Sequence, residues 1–356
     1  MIFKCRDEDY AKRLCMIRCS KLKVAKMNNN QSNISDEELK KSEEILKSIE
    51  SYYKKRIVGQ NNLGRSLLIA LMANGHILLE SVPGLAKTTS AKVLTEAVSG
   101  KFSRIQCTPD LLPSDIIGTQ IFNYADNVFQ TKVGPIYANF VLLDEINRSS
   151  AKTQSATLEA MQERQITIDG KVYHMPDIFI VIATQNPIEQ EGTYLLAEAQ
   201  LDRFLMKEKL DYPTQEEEVE ILDRIESKVF DDDSPILKLD DVVFLQKLSE
   251  KVYVDKSIKD YITRIIAATR KPKDFINPNL ADYVSLGSST RGAISFMLCA
   301  KALALIKGRS HVIPEDIKDL RYSVLRHRIS LNFSAVADGV VVEQIIDALF
   351  GAIATP

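Results

Sequence analysis

Long apolar runs are missing from this 356-residue chain, and none approaches the ~20 residues that a membrane-spanning helix needs. A charged stretch stands near the N-terminus where a secretory leader would carry its apolar core, so the expected location is cytoplasmic. Cysteine is scarce and badly placed for a disulfide framework: Cys5, Cys15 and Cys19 crowd the start of the chain, while Cys107 and Cys299 stand alone. An excess of either charge is lacking too. The 46 basic and 48 acidic residues leave a net charge of −2, so no whole-molecule field points to nucleic acid or an anionic membrane. The four histidines, His76, His174, His311 and His327, have neither metal-ligand spacing nor a nucleophile beside them and read as structural or solvated. Repeats of twenty to fifty residues and low-complexity tracts are also absent.

What remains is an ordinary globular composition, 45% hydrophobic and 26% charged, in a chain long enough for two domains with separate cores. Residues 1–34 read as an extension, disordered or wrongly assigned to the chain, with Met27 as an alternative start. Ser35-Asp36-Glu37-Glu38 then opens a helix whose Leu39, Ile45, Leu46 and Ile49 carry it to about Tyr53. A second periodic stretch through Leu63, Leu67, Leu68 and Leu71 ends at Asn74-Gly75. Short apolar runs at 77–79, 102–105, 140–143, 179–183 and 204–206 alternate with helical patterns. This rhythm predicts an α/β fold, a parallel sheet covered on both faces. Two inserts, 119–131 around Ala125-Asp126-Asn127 and 165–174 around Asp169-Gly170, alternate and turn like β-hairpins. A core over 35–211 is followed by an acidic linker at 212–233 and mainly helical periodicity over 234–356.

Between the first apolar run and the next helix lies Ser81-Val82-Pro83-Gly84-Leu85-Ala86-Lys87-Thr88, with Thr89 continuing into that helix. Strand, loop and helix in that order is the setting a phosphate-binding loop requires. Backbone N–H groups would cradle the phosphates, Lys87 would reach the β/γ oxygens, and the Thr88 hydroxyl would ligate Mg²⁺. Ser81 and Ala86 replace both glycines of the strict pattern, so the loop alone also fits a helix N-terminus that happens to carry Gly, Lys and Thr. Asp144-Glu145 closes the strand run 140–143, and adjacent carboxylates at a strand end are costly unless something cationic sits there. Asp144 suits the Mg²⁺ shell and Glu145 the activation of an attacking water. Asn186, in Thr184-Gln185-Asn186-Pro187 at the exit of the run 179–183, can orient that water, although Asn-Pro is also an ordinary turn signal.

With these residues in hand, the chain resembles the MoxR family of AAA+ ATPases from about Ser35 onward. The resemblance extends through Thr108-Pro109-Asp110-Leu111-Leu112-Pro113-Ser114-Asp115, Glu159-Ala160-Met161-Gln162-Glu163-Arg164, Thr184-Gln185-Asn186-Pro187 and Glu198-Ala199-Gln200-Leu201-Asp202-Arg203-Phe204. It implies an AAA+ P-loop αβα sandwich with a parallel five-stranded sheet, two β-hairpin inserts and an all-helical C-terminal lid. It further implies a hexameric ring holding ATP and Mg²⁺ between subunits and acting as a chaperone-like remodelling or maturation factor on a client protein. Partners with a von Willebrand factor A domain are frequent in the family. On that pattern Asn186 looks like the sensor 1 residue and Arg203 like the arginine finger. Arg291, in Gly287-Ser288-Ser289-Thr290-Arg291-Gly292, looks like the sensor 2 arginine. Ile57-Val58-Gly59-Gln60 resembles the adenine-side segment, with Val58 and Gly59 meeting the base. The chain departs from the family pattern at Ser81, at Ala197 where Pro is common, and in the residues flanking Arg291, which leaves open whose nucleotide Arg291 serves. Two rivals stand beside this reading: an ATP-binding regulatory scaffold without turnover, and a nucleic-acid-remodelling AAA+ motor. The complete set Asp144, Glu145, Asn186 and Arg203 argues against the first and the neutral charge against the second. Charged residues of the lid helices read as mostly exposed.

Overall fold

The computed structural model describes residues 34–81, 87–187, 193–226 and 237–356. The N-terminal extension and Met27 lie outside them. Helix α1 (Asp36–Arg56) starts where the capping residues demand: the Glu38 N–H donates to Ser35 Oγ at 3.1 Å, and the Ser35 N–H returns a bond to Glu38 Oε2 at 3.0 Å. It runs past Tyr53 because Lys54, Lys55 and Arg56 complement the helix C-terminus without adding to the apolar pattern. Helix α2 (Asn61–Met72) is closed by Ala73 and by Asn74 at φ 47°.

The α/β part then unfolds in order. It comprises β1 (Ile77–Glu80), α3 (Lys87–Ala97), β2 (Phe102–Gln106), α4 (Pro113–Ile117), β3 (Gly118–Asn123), β4 (Val128–Val133), β5 (Phe140–Asp144) and α5 (Ala151–Glu163). It ends with β6 (Gln165–Ile168), β7 (Lys171–His174), β8 (Ile180–Gln185), α6 (Glu198–Leu201) and β9 (Met206–Lys209). Five strands form one sheet in the order β2-β5-β8-β1-β9, parallel throughout. The expected inserts are the antiparallel hairpins β3–β4 and β6–β7. The last strand differs from expectation. The apolar run 204–206 only leads into it, and β9 itself reads Met-Lys-Glu-Lys, because Lys207 is paired with Glu80 and Glu208 accepts from Ser66 and Ser323, so these half-buried positions need no apolar side chain.

Alternation along the central strands divides the core. Leu79, Phe140, Leu142, Ile180 and Ile182 face α1, α2 and α3, while Leu78, Val141, Leu143, Val181 and Ala183 face α5 and the hairpins. Gly118 joins α4 to β3 at φ 114°, ψ 174°, and a Cβ there would lie 2.3 Å from the Lys132 carbonyl oxygen. Gly118→Ala is therefore expected to cost about 1–3 kcal/mol. The check is a lower urea midpoint at unchanged slope; an unchanged midpoint would show that the hairpin yields freely.

The stretch expected as a linker carries α7 (Gln215–Glu226). Beyond it come α8 (Leu239–Lys251), α9 (Lys256–Arg270), α10 (Pro278–Ala281), β10 (Val284–Leu286), α11 (Thr290–Ile306) and α12 (Pro314–Asp319). The chain finishes with α13 (Arg321–Leu325), β11 (Ser330–Leu331), α14 (Phe333–Ala337) and α15 (Val342–Ala352). The lid is helical but not wholly so, since β10 and β11 pair antiparallel and brace the turn that leads into α11. Nor is its core separate. One apolar cluster runs from Ile49 and Leu67 through Leu245, Tyr261 and Phe296 to Leu349. Glu208 of β9 ties the parts together, accepting bonds from Ser66 Oγ in α2 at 2.6 Å and Ser323 Oγ in α13 at 2.5 Å. Gln246 of α8 adds a third tie, its Nε2 donating to the Leu71 carbonyl at 2.8 Å.

Candidate nucleotide site

Parallel strands in register bring their C-terminal ends to one edge, and β1, β5 and β8 are neighbours there. Ser81, 3% exposed, continues β1 by donating its N–H to the Gln185 carbonyl at 3.2 Å. Just before it, Glu80 meets Lys207 Nζ at 2.5 Å and Gln185 Nε2 at 2.7 Å. Burial would raise this carboxyl, but the lysine and the amide outweigh it and hold it below its usual range. Val82, Pro83, Gly84, Leu85 and Ala86 lie outside the described residues, as do the side chains of Lys87 and Thr88; α3 starts at Lys87 and Thr89 is exposed in its first turn.

Asp144 is 8% exposed at the end of β5. The Thr184 hydroxyl of β8 donates to its Oδ1 at 2.8 Å and accepts the Glu145 N–H at 2.9 Å, so one side chain orients both carboxylate residues. Arg104 of β2 donates to Asp144 Oδ2 at 2.7 Å and to Gln106 Oε1 at 3.2 Å, and Gln106 Nε2 donates to Glu145 Oε2 at 3.0 Å. Arg148 stands 3.5 Å from the same Glu145 oxygen. Glu145 takes φ 58°, ψ 53°, a left-handed conformation that costs a non-glycine residue of order 1–3 kcal/mol and turns the chain sharply off the strand. Asn186 follows β8 at 4% exposure, and its carbonyl lies 3.5 Å from Asn147 Nδ2.

The two arginines lie elsewhere. Met206 is the register partner of Ile77, and the Leu205 N–H donates to the His76 carbonyl at 2.7 Å, so Arg203 sits at the N-terminal ends of the strands. The four residues of β1, at ~3.3 Å each, put on the order of 13 Å between this edge and the one bearing Ser81, Asp144 and Asn186. Arg203 Nε is buried without a hydrogen-bond partner among the described residues. Its neighbour Asp202 accepts Ser289 Oγ at 2.7 Å and Arg328 Nε at 2.9 Å and lies 3.7 Å from Arg291 NH1. Val58 is buried, and Gly59 at φ 65° rests against α7, where a Cβ would meet the Glu217 carboxylate at 2.7 Å.

A family model described as the ATPase family associated with various cellular activities matches residues 76–206, and an AAA lid domain model matches 279–349. Over 303 residues the chain is 45% identical to Chaperone MoxR1 of Mycobacterium tuberculosis, covering 85% of this chain and 80% of that protein. This chain belongs to the MoxR family of AAA+ ATPases. Protein MoxR of Paracoccus denitrificans is 28% identical, with 84% of this chain and 93% of that protein covered. A crystal structure of an ATPase from Cytophaga hutchinsonii superposes with a TM-score of 0.85 at 43% identity, over 90% of this chain and 98% of that one.

In this MoxR-family chain, hydrogen bonding divides the expected site residues into two groups: Asp144, Glu145 and Asn186 at the C-terminal edge of the sheet, and Arg203 with Arg291 around Asp202. Several members were not singled out from sequence. Thr184 and Gln106 lie at or next to strand ends, a weak polar signal, but neither is one of the paired carboxylates by which Asp144 was picked. Arg104, two residues further back, gave no such signal. Arg328 gave none at all. The lid's charged residues read as mostly exposed, yet Arg328 is 5% and Asp316 0% exposed. His76 and His327 are buried against backbone, as structural histidines should be: Val181 N–H donates to His76 Nδ1 at 3.0 Å, and His327 Nε2 meets the Phe204 carbonyl at 3.2 Å. Burial, with Arg328 beside it, holds His327 neutral well below its ordinary range. Among the described residues no helix is long and apolar enough to cross a membrane.

Proposed function

We propose that this ATPase hydrolyses ATP with Mg²⁺ in a hexameric ring, each site being built from two subunits. The observation that carries the reading is the place of Arg203. An arginine on the N-terminal edge of the sheet cannot serve a nucleotide at the C-terminal edge of its own chain, roughly 13 Å of strand away, so its phosphate belongs to a neighbour. Arg291 shares Asp202 with that arginine segment, which favours the neighbour's nucleotide for it as well. Within one subunit, residues 81–89 would bind the phosphates, with Lys87 on the β/γ oxygens, while Val58 and Gly59 meet the base.

The donors suit Mg²⁺. Asp144 and Thr88 are hard oxygen ligands, and Asp144 keeps lone pairs free beside its bonds to Thr184 and Arg104. Bound there, Mg²⁺ would neutralise charge on the β- and γ-phosphate oxygens. Glu145 would accept the proton of the attacking water, and Asn186 would orient it. Gln106 and Arg148, both on Glu145 Oε2, would hold that carboxylate until the water arrives.

The turnover would drive remodelling of a client protein, a reading supported by the word chaperone in the name of the relative Chaperone MoxR1; a von Willebrand factor A domain protein would be its partner, as the family resemblance implies. The β3–β4 hairpin offers a contact for such a client. Tyr124 and Phe129 are 88% and 68% exposed and meet Phe122 edge-on at 5.1 Å each. Purified protein should release phosphate from ATP only with Mg²⁺, and Lys87→Ala should bind no nucleotide. Turnover without the metal, or full nucleotide affinity in that variant, would overturn the proposal.

A further inference from the structure

The Asp202 carboxylate, just before Arg203, has its side-chain partners among the described residues in the lid. Its Oδ1 accepts Arg328 Nε at 2.9 Å; its Oδ2 accepts Ser289 Oγ at 2.7 Å and lies 3.7 Å from Arg291 NH1. Ser289 is the N-cap of α11 and accepts the Arg291 N–H at 3.0 Å, so the same hydroxyl links Asp202 to the backbone that carries Arg291. Arg328, whose side chain is 1% exposed, also grips the chain on the other side of Arg203. It donates to the Phe204 carbonyl at 2.6 Å and the Leu205 carbonyl at 3.3 Å, and is itself held by Ser295 Oγ at 2.9 Å and the Val324 carbonyl. Arg203 is thus bracketed. The residue before it and the two after it are fixed to the lid, while its own guanidinium has a buried Nε without a hydrogen-bond partner among the described residues.

We infer that Asp202 and Arg328 are positioning residues that present Arg203 and Arg291 to the neighbouring nucleotide as one unit. A buried guanidinium with a single carboxylate partner and three backbone acceptors is a rigid joint, because breaking it would strand a charge away from water. Lid movement therefore carries both arginines together rather than one at a time. This rests on the proposal that Arg203 acts on a neighbour, and the test separates the two.

Asp202→Asn keeps shape and removes the charge that holds Arg291 and Arg328, so the arginines lose about an ångström of registration, a displacement that can cost about 10²-fold in rate. The expected result is a kcat lowered by about 10²-fold with the KM for ATP nearly unchanged, since the variant's own phosphate loop is untouched. The discriminating measurement is complementation in mixed rings. Asp202→Asn should recover turnover when mixed with Glu145→Gln subunits, which supply intact arginines, and should not recover with Arg203→Ala subunits, which do not. Damage to the variant's own site would produce the opposite pattern and overturn the inference. So would an undiminished rate. Asp202→Glu, which keeps the charge against Arg328 and shifts the carboxylate by one methylene, should follow the same pattern with a smaller loss; it carries the test if the Asn variant folds poorly by circular dichroism. Recovery between Arg203→Ala and Glu145→Gln is the control: its failure overturns the neighbour assignment and this inference with it, whereas its success without recovery for either Asp202 variant overturns the inference alone.

Discussion

Arg203→Ala is expected to lower turnover by about 10³–10⁵-fold, the range an arginine directed at a transferring phosphoryl group commands in nucleotide hydrolases, while leaving nucleotide affinity close to that of the unaltered protein. The asymmetry follows from the fold. The residues proposed to bind phosphate follow the C-terminal end of β1 in the chain, whereas Arg203 precedes β9, two residues before the Leu205 that bonds His76 at the other end of the same strands. Removing the guanidinium therefore cannot disturb the loop of its own chain. It also removes a side chain whose Nε makes no hydrogen bond among the described residues, so little fold stability should go with it. Titration with a fluorescent nucleotide and a phosphate-release assay on the same preparation check both halves. A variant that turns over at the normal rate would take Arg203 out of the chemistry, and one that binds nucleotide poorly would place it at its own chain's site.

Glu145→Gln should lose about 10²–10⁴-fold in turnover, the usual contribution of a general base, and retain ATP. The substitution is nearly isosteric. The Glu145 N–H stays bonded to Thr184, the side-chain oxygen can still accept from Gln106, and only the 3.5 Å pairing with Arg148 is lost. A half-buried ion pair of that length is worth about 1 kcal/mol, so a large rate loss could not be charged to unfolding. Rapid-quench measurement of a single turnover, set against equilibrium ATP binding, reads the two effects apart. Normal turnover would remove Glu145 from the mechanism.

Much of this was legible in the residue pattern, and for definite reasons. Four of the five sheet strands fall on their apolar runs because three of them, β1, β5 and β8, are buried on both faces and can carry little else. The hairpins were legible from Asn127, Asp169 and Gly170, which adopt the positive φ their turns require. The edge strand β9 was displaced because Met-Lys-Glu-Lys has no pattern of its own; its place comes from pairing with β1. Asp144 and Glu145 could be read because two acids after four apolar residues are conspicuous. Gln106 and Arg104 could not, since their partners lie across a strand pair rather than along the chain.

By itself the sequence determined the alternation of strands and helices in the α/β part, the hairpin turns and the capped start of α1, and it singled out Asp144, Glu145, Asn186 and Arg203 as candidate companions of a phosphate loop, all from near neighbours along the chain. Only the tertiary structure decided which of those companions meet. It assigned Asp144, Glu145 and Asn186 to one edge of the sheet and Arg203 to the other, gathered Arg291 and the unremarked Arg328 onto Asp202, and merged the lid's core with that of α1–α3. The physical reason is that periodicity and turn chemistry act over a few residues, whereas strand order, the direction of a sheet edge and the burial of a lone charge are set by partners more than a hundred residues away.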